Sequence, residues 1–404
     1  MESRQAATRH MASTEFPGKA THAQTRAHNT SLVLRAIYDR GPISRADVAR
    51  LTGLTRTSVG ELVADLEDLG LARDAGKAPS TGGKAPTLVE LVDDARHMVT
   101  IDLGERTFTA ALLDLRGTIQ RRASRDVERA DGDEALALVH DLVAEILDGP
   151  HQPILGIGVG TPGIVTADGT IRWAVNLDWT DLPLAALLEE RFGLPTVVVN
   201  DSRAAALATY LFEGEDRPEH LVAIKVGRGI GAGLVLNGDL FGGDGDGAGE
   251  IGHIVVEPDG AQCHCGRFGC LETVASAPAI LRAAAAAGLE LHANGSTALQ
   301  HLAEAAAAGD ERAITISRTA GRALGSAIAN LIGTLDVRHL VVHGSVTVLG
   351  EPWFAAIREE ATRRSLGPLA RETRLVDGGV GEELTLLGAG ALLLTSELGL
   401  TVHR

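Results

Sequence analysis

Apolar side chains recur every three or four residues across positions 29–70 and predict three consecutive helices. The first helix ends at the Gly41-Pro42 pair, because proline cannot continue a helix. Ser44 is the predicted cap of a short second helix, and Thr55 is the predicted cap of the third. The apolar positions of the third helix are Val59, Leu62, Val63, Leu66 and Leu69.

Two strand-like segments follow, Leu71-Ala72 and Thr87–Leu91, and a loop rich in Gly, Pro and Lys joins them. This order is typical of a winged helix-turn-helix, so we predict a DNA-binding domain at residues 29–92. The polar first turn of the third helix would enter a major groove, and the loop lysines would meet phosphate. The predicted DNA contacts are Thr55, Arg56, Thr57, Ser58, Lys77 and Lys84. The alternative, a helical hairpin for protein contacts, explains the polar turn and the basic loop poorly.

Residues 1–28 are polar and predict a flexible tail, in which Met1 and Met11 are both candidate starts. The tail lacks the apolar centre of a signal peptide. No apolar run in the chain approaches the roughly 20 residues that a membrane span needs. We therefore expect a cytoplasmic protein that does not contact a membrane.

Apolar runs alternate with glycine turns and helical patterns over residues 97–404, which predicts an α/β fold. The predicted strands are Met98–Leu103, Ile154–Val159, Thr196–Val199, Leu221–Val226, Gly233–Leu236 and Leu340–Val342. The predicted helices are Glu134–Leu147, Leu184–Phe192, Arg203–Phe212, Ala313–Leu335 and Trp353–Arg364. Gly227–Gly233 has the spacing of a dinucleotide-binding turn, but a strand-like segment follows where a helix should begin. We therefore predict a glycine hairpin there.

The net charge of −16 is unevenly distributed along the chain. Residues 1–96 carry a net charge of +1, and the remainder carries −17. A near-neutral head before an acidic body is compatible with a small DNA-reading module joined to a small-molecule domain.

All three cysteines lie within eight positions, and a histidine lies ten residues before the first of them. One imidazole and three thiols form a complete tetrahedral ligand set for Zn²⁺. Core cysteines rarely cluster among glycines, and a disulfide would leave one thiol over. We therefore predict one structural zinc ion per chain. Its ligands are His253, Cys263, Cys265 and Cys270.

Several motifs of the body occur in an order that resembles the ROK family of sugar kinases and sugar-responsive repressors. They are Asp102-x-Gly104, TPG, VVVNDSRAAAL, GRGIGAG, GEIGH and CHCGRFGCLE, and the resemblance covers residues 97–404. The winged head resembles that of the repressor branch, with TGGK where TGGR is usual. The resemblance implies a two-lobed, actin-like ATPase fold of the ribonuclease H-like class, with a hexose cleft between the lobes.

The resemblance also implies sugar contacts, because carboxylates and amides bind vicinal hydroxyls. The matching positions are Asn176, Asn200, Asp201, Glu250, His253 and Glu272. His253 would place one ring nitrogen on zinc and the other toward the sugar. Zinc would act indirectly, by fixing the loop that carries these side chains. Asp201 has an alternative reading, in which its carboxylate only stabilises the dipole of the following helix.

In kinases of this family, two glycine-rich turns hold the ATP phosphates, and Asp201 would be the general base. The first turn here reads Asp102-Leu103-Gly104-Glu105-Arg106, where Asp-x-Gly-Gly-Thr is usual. The second has Arg228 between Gly227 and Gly229, where threonine is usual. A carboxylate in the place of glycine would repel phosphate, so we expect neither ATP binding nor a catalytic residue.

These features predict a sugar-responsive transcriptional regulator, a repressor of carbohydrate-metabolism genes that a sugar or sugar derivative releases from operator DNA. It would bind a pseudopalindromic operator as a homodimer or homotetramer. The alternative is an ATP-dependent kinase of a hexose or N-acetylhexosamine with a regulatory DNA-binding head. A third hypothesis is a sensor of a phosphosugar or an adaptor protein, which only the cationic Arg228 favours.

Overall fold

The structure is a computed structural model, and the described residues are 21–78, 85–104, 106–127, 131–212, 218–291 and 295–400, without the side chains of Val175 and Ser296. The chain divides into two compact units, Met1–Leu91 and Val92–Arg404. Among the described residues, no helix is both long enough and apolar enough to cross a membrane.

The first unit combines three helices with a three-stranded antiparallel sheet of order β1-β3-β2. Its elements are α1 (His22–Arg40), β1 (Ile43–Ser44), α2 (Arg45–Thr52), α3 (Arg56–Asp68), β2 (Ala72–Lys77) and β3 (Thr87–Leu91). The Ser44 side chain accepts a hydrogen bond from Asp47 N, and the Thr55 side chain accepts one from Ser58 N. Both predicted helix caps are therefore confirmed, and the winged helix-turn-helix fold is confirmed with them.

The first helix begins earlier than the apolar pattern predicted. It starts at His22 rather than Asn29, because Thr21 and Gln24 form a reciprocal capping box in a polar, exposed segment. Residues 21–28 are thus helical rather than a flexible tail. The rest of the predicted tail, with both candidate start methionines, lies outside the described residues.

The second unit contains two five-stranded sheets of the same topology and one small sheet. Its strands are β4 (His97–Leu103), β5 (Thr107–Leu113), β6 (Ile119–Asp126), β7 (Ile154–Thr161), β8 (Ile164–Val165), β9 (Ile171–Ala174), β10 (Trp179–Leu182), β11 (Thr196–Asn200), β12 (Leu221–Val226), β13 (Ile230–Leu236), β14 (Asp239–Phe241), β15 (His339–His343) and β16 (Arg374–Asp377). The large sheets have the orders β11-β7-β4-β5-β6 and β14-β13-β12-β15-β16. In each sheet, three neighbouring strands pair antiparallel, namely β4-β5-β6 and β12-β13-β14. The other two strands add parallel pairs, in the orders β4-β7-β11 and β12-β15-β16. The predicted α/β, two-lobed fold class is confirmed.

Two central helices connect the large sheets. The helices of this unit are α4 (Gly132–Asp148), α5 (Leu184–Phe192), α6 (Asp201–Phe212), α7 (Glu272–Ala275), α8 (Ala277–Ala286), α9 (Ser296–Ala307), α10 (Glu311–Leu335), α11 (Glu351–Arg364), α12 (Gly367–Glu372) and α13 (Leu384–Leu398). α6 and α13 pack against each other, α13 also contacts β4 and β7, and α6 also contacts β12 and β13. The start of α6 therefore lies where the strand ends of both sheets approach one another.

All the predicted strands and helices of the body are present, with ends that shift by a few residues. The predicted glycine hairpin is also confirmed, because Val226 pairs with Ile230 across it. α13 was not predicted, because it is apolar on nearly every side and so has no helical period. β5 and β6, an antiparallel pair at one side of the first sheet, were also not predicted.

α6 and α13 cross at Gly388, where a Cβ atom would lie 1.9 Å from Ala204 O. We expect Gly388→Ala to force the helices apart and to lower the free energy of unfolding by about 1–3 kcal/mol. Gly390→Ala on the same helix is the matched control, because its Cβ would meet Met98 Cε at an ordinary 3.5 Å. Urea unfolding followed by circular dichroism measures both. Equal midpoints for the two variants would contradict the assignment of this crossing.

Candidate functional site

Polar side chains from both large sheets meet where the strands end. Asp102 lies near the end of β4, Asp201 directly follows β11, and Lys225 lies near the end of β12. Lys225 Nζ donates hydrogen bonds to Asp201 Oδ2 at 2.9 Å and to Thr385 Oγ1 at 3.4 Å. Thr385 belongs to the first turn of α13. The structure thus brings Asp102 and Asp201 together around a lysine that the sequence analysis did not single out.

The charges of these three groups depend on one another. Burial raises the pKa of Asp102 to about 6. The positive charge of Lys225 acts to lower this pKa, and the negative charge of Asp201 acts to raise it by a smaller amount. Burial acts to lower the pKa of Lys225, but its attraction to both carboxylates outweighs burial and the pKa is raised. The lysine therefore remains an ammonium at neutral pH, where Asp102 is mostly ionised.

The two polar residues that follow β11 also start α6. Asn200 Oδ1 accepts hydrogen bonds from Ser202 N at 3.0 Å and Arg203 N at 3.1 Å, and Asn200 Nδ2 donates one to Gly163 O at 2.9 Å. Asp201 Oδ1 accepts a hydrogen bond from Ser202 N at 2.7 Å. The side-chain oxygen and nitrogen of Asn200 therefore both hold the turn through hydrogen bonds to the backbone. Asp201 combines the helix-capping role of the alternative reading with a second oxygen that accepts the hydrogen bond from Lys225 Nζ.

One histidine and three cysteines form a cluster whose ligand atoms lie within 4.8 Å of one another. His253 Nδ1 lies 3.7 Å from Cys263 Sγ, and Cys265 Sγ lies 3.7 Å from Cys270 Sγ. Sulfur atoms on a tetrahedral ion with Zn–S bonds of about 2.3 Å stand about 3.8 Å apart, whereas a disulfide would bring them to about 2 Å. The four side chains therefore fit a tetrahedral metal ion.

Carboxylates lie beside this cluster on the side away from the sulfur atoms. His253 Nε2, the ring nitrogen that does not face the cysteines, lies 4.0 Å from Glu250 Oε2. Partial burial raises the pKa of Glu250, His253 opposes this, and the negative charges of Asp201 and Glu272 add to it. Glu272 Oε1 accepts a hydrogen bond from Ile230 N at 2.7 Å, which ties the cysteine loop to the glycine hairpin. Three of the other five predicted sugar contacts thus lie close enough to Glu250 to affect its pKa.

Asn176 lies between two strands of the small sheet of the same unit. It is exposed, within a 3-10 helix between β9 and β10. A Cβ atom on Gly163 would lie 2.2 Å from Trp173 O, so β9 packs closely against the turn that accepts the Asn200 hydrogen bond. Within the described part of the chain, no hydrogen bond joins Asn176 to the other predicted sugar contacts.

Two glycines of the predicted phosphate turns, Gly104 and Gly229, are closely packed. A Cβ atom would lie 2.7 Å from Glu272 Oε1 at Gly229 and 2.7 Å from a carbonyl oxygen of β5 at Gly104. Gly227 has only an ordinary contact at 3.6 Å, and Glu105 lies outside the described residues. Close packing thus accounts for Gly104 and Gly229 without a phosphate.

The predicted DNA contacts of the first unit divide into two groups. Thr55 Oγ1 accepts a hydrogen bond from Ser58 N at 3.1 Å and lies 2.9 Å from Ser58 Oγ, so both hydroxyls belong to the helix cap. Arg56 and Thr57 are exposed on the first turn of α3, and Lys77 is exposed at the end of β2. Lys84 lies outside the described residues.

Lys225 and Thr385 are the site residues that the sequence analysis missed. Lys225 has a sequence signal, because it is the single charged residue in the apolar strand Leu221–Val226. A buried charge needs a partner, so such a lysine marks a site. Thr385 has no such signal, because α13 itself was not predicted.

Comparisons with known proteins match both units. Residues 98–396 match the ROK family, and residues 25–77 match the MarR family. The chain is 25% identical over 370 residues to the xylose repressor of Bacillus subtilis (strain 168), covering 91% of this chain and 94% of that repressor. It is 34% identical over 321 residues to a glucokinase of Halalkalibacterium halodurans, covering 75% of this chain and 96% of that enzyme. A crystal structure of a ROK family transcriptional regulator, a homologue of the E. coli MLC protein, aligns with a TM-score of 0.83 and 28% identity, covering 93% of this chain and 98% of that one.

The cysteine cluster yields a direct prediction. Cys265→Ser removes one of the ligand atoms, so we expect metal analysis of the purified protein to find much less zinc per chain than in the wild type. His264→Ala is the matched control, because His264 is an exposed neighbour that does not belong to the cluster. Equal loss of metal from both variants would show that the ligand set is assigned wrongly.

Proposed function

This chain belongs to the ROK family, and we propose that it is a sugar-responsive transcriptional repressor that acts on operator DNA in the cytoplasm. The observation that carries the proposal is the winged helix-turn-helix of the first unit, which matches the MarR family and which a sugar kinase does not need. The similarity to a xylose repressor and to a ROK transcriptional regulator, each over more than nine-tenths of this chain, supports it.

The body would bind a monosaccharide beside the cysteine cluster. Asp201 Oδ2 and the carboxylates of Glu250 and Glu272 offer acceptors for vicinal hydroxyl groups. With Nδ1 on the metal, His253 Nε2–H would donate a hydrogen bond to a further hydroxyl group. Asn176 and Asn200 would complete the set with amide groups. A site that pairs each hydroxyl separately distinguishes epimers strongly.

Zinc is the metal that the cluster would hold, through His253 and the three cysteines. Such a closed ligand set supplies folding free energy and leaves no coordination position for substrate. Burial raises the pKa of Cys270 to about 12, so a bound cation is what would convert this thiol to a thiolate. The fixed loop would then hold His253 and Glu272 at the sugar.

The head would read DNA with the first turn of α3 in a major groove. Arg56 would recognise a base, Thr57 would contact a base or phosphate, and Lys77 would contact phosphate on the wing. Thr55 and Ser58 hold this turn in place through their mutual hydrogen bonds. Two heads of a homodimer or homotetramer would occupy the two halves of a pseudopalindromic operator.

Sugar would release the operator by binding better to the DNA-free state. α6 is the element through which this preference would act, because it contacts both large sheets and carries Asp201 at its start. A ligand held between the sheets favours one arrangement of them. Release of DNA follows only if the sugar affinity differs between the two states.

Enrichment of duplexes from a randomised DNA pool tests the DNA-binding role. The proposal predicts a pseudopalindromic motif, and a pool that stays random would contradict it. A thermal-shift screen with xylose, glucose, N-acetylglucosamine, their phosphates and ATP identifies the effector. A stabilising sugar without a stabilising nucleotide is the expected result.

The second candidate is a sugar kinase with a regulatory head. The 34% identity to a glucokinase favours it, and the Lys225–Asp201 ion pair disfavours it because Asp201 is the predicted base. An ADP-release assay across hexoses and N-acetylhexosamines separates the candidates. Turnover that Asp201→Asn abolishes would reverse the ranking.

Arg56→Ala should raise the Kd for the selected operator about tenfold or more, because a base contact from arginine contributes about 1–3 kcal/mol of discrimination. Arg318→Ala removes the same charge from an exposed position on the body and should leave the Kd nearly unchanged. Fluorescence anisotropy at one salt concentration measures both. Equal effects would mean that net charge, not α3, governs DNA binding.

Cys265→Ser should weaken the response to sugar before it weakens operator binding, because the cluster belongs to the second unit and α3 to the first. The measurement is operator release over a sugar titration, with His264→Ala as the control. Equal loss of operator binding and sugar response would show that the metal supports the whole protein.

A further inference from the structure

The cleft contains a positive charge that belongs to the chain itself. Asp102 and Asp201 come from the ends of two different strands, and Thr385 adds a hydroxyl from α13. Two carboxylates and a hydroxyl are the oxygen ligands that a hard divalent cation prefers. Lys225 Nζ lies 2.9 Å from Asp201 Oδ2 and 3.4 Å from Thr385 Oγ1, and its positive charge also acts on Asp102.

We propose that Lys225 is the resident cation of this cleft and takes the position that Mg²⁺ would need between Asp102 and Asp201. The cleft then binds its ligand without a divalent metal. This assignment concerns the chemistry of the cleft, and it holds whether or not the head represses transcription.

Sterics and coordination both support the assignment. Mg²⁺ requires nearly octahedral oxygen coordination at about 2.1 Å and keeps several waters, so it cannot share this space with an ammonium group. Both oxygens of Asp201 already accept hydrogen bonds, from Lys225 Nζ and from Ser202 N. The residues present therefore do not fit a magnesium ion.

Charge balance explains why a cation is required at this point. Two carboxylates at one site repel each other, and burial of Asp102 adds a desolvation cost. Asp102 Oδ1 is buried and has no hydrogen-bond partner within the described residues. The ammonium of Lys225 is the opposite charge that favours the ionised form of the buried Asp102.

Mn²⁺ binding followed by electron paramagnetic resonance tests the proposal on the full-length, zinc-loaded chain. The wild type should bind no Mn²⁺ in the cleft. Lys225→Met removes the ammonium at nearly constant volume and should create a Mn²⁺ site with a Kd on the order of 1 mM or below. The double variant Lys225→Met with Asp102→Asn should lose that site.

Lys225→Arg is the matched control, because it keeps a cation in the cleft and should bind no Mn²⁺. Lys225→Gln repeats the test should the methionine variant fail to fold, as judged by its melting curve. Either neutral variant, folded but without Mn²⁺ binding above the wild-type level, would overturn the proposal. The wild type alone also tests it, since a Mn²⁺ site that Asp102→Asn abolishes would show that Lys225 does not exclude the metal.

Discussion

The close packing of α6 between two sheets of like topology is the constraint on which the cleft depends. A Cβ atom at Gly388 would lie 1.9 Å from Ala204 O, and one at Gly233 would lie 2.4 Å from Ser202 O, so α13 and β13 both approach the backbone of α6 directly. Asn200 fixes the first turn of α6 through its side-chain hydrogen bonds. The position of Asp201, and with it the proposed sugar site, follows from these contacts.

A second constraint links the cysteine cluster to the same place. Glu272 follows shortly after Cys270 and accepts the hydrogen bond from Ile230 N, so the loop that the metal would hold is attached to the glycine hairpin of β12 and β13. Lys225 lies on β12 and reaches Asp201. Hydrogen bonds therefore link the cysteine loop, the hairpin and α6, although their residues are far apart in sequence.

Features that depend on local sequence were predictable. The caps at Ser44 and Thr55 and the ligand spacing of the cysteines rest on short-range chemistry, and the structure contains each of them. The apolar α13 escaped prediction because burial on all sides removes the period that marks a helix. The ion pair between Lys225 and Asp201 was not predicted, because an ion pair between distant segments produces no regular spacing in the sequence. The early start of α1 escaped prediction for the opposite reason, because its first residues, before Asn29, are polar and carry no apolar stripe.

We propose that sugar binding in the second unit is coupled to DNA binding in the first. Its most direct test is the Kd for a labelled operator duplex, measured by fluorescence anisotropy with and without a saturating effector sugar. If the two events are coupled, sugar should raise this Kd by about 5–150-fold, the range of ordinary allosteric coupling, and operator should raise the Kd for sugar by the same factor. An operator Kd that saturating sugar leaves unchanged would contradict it.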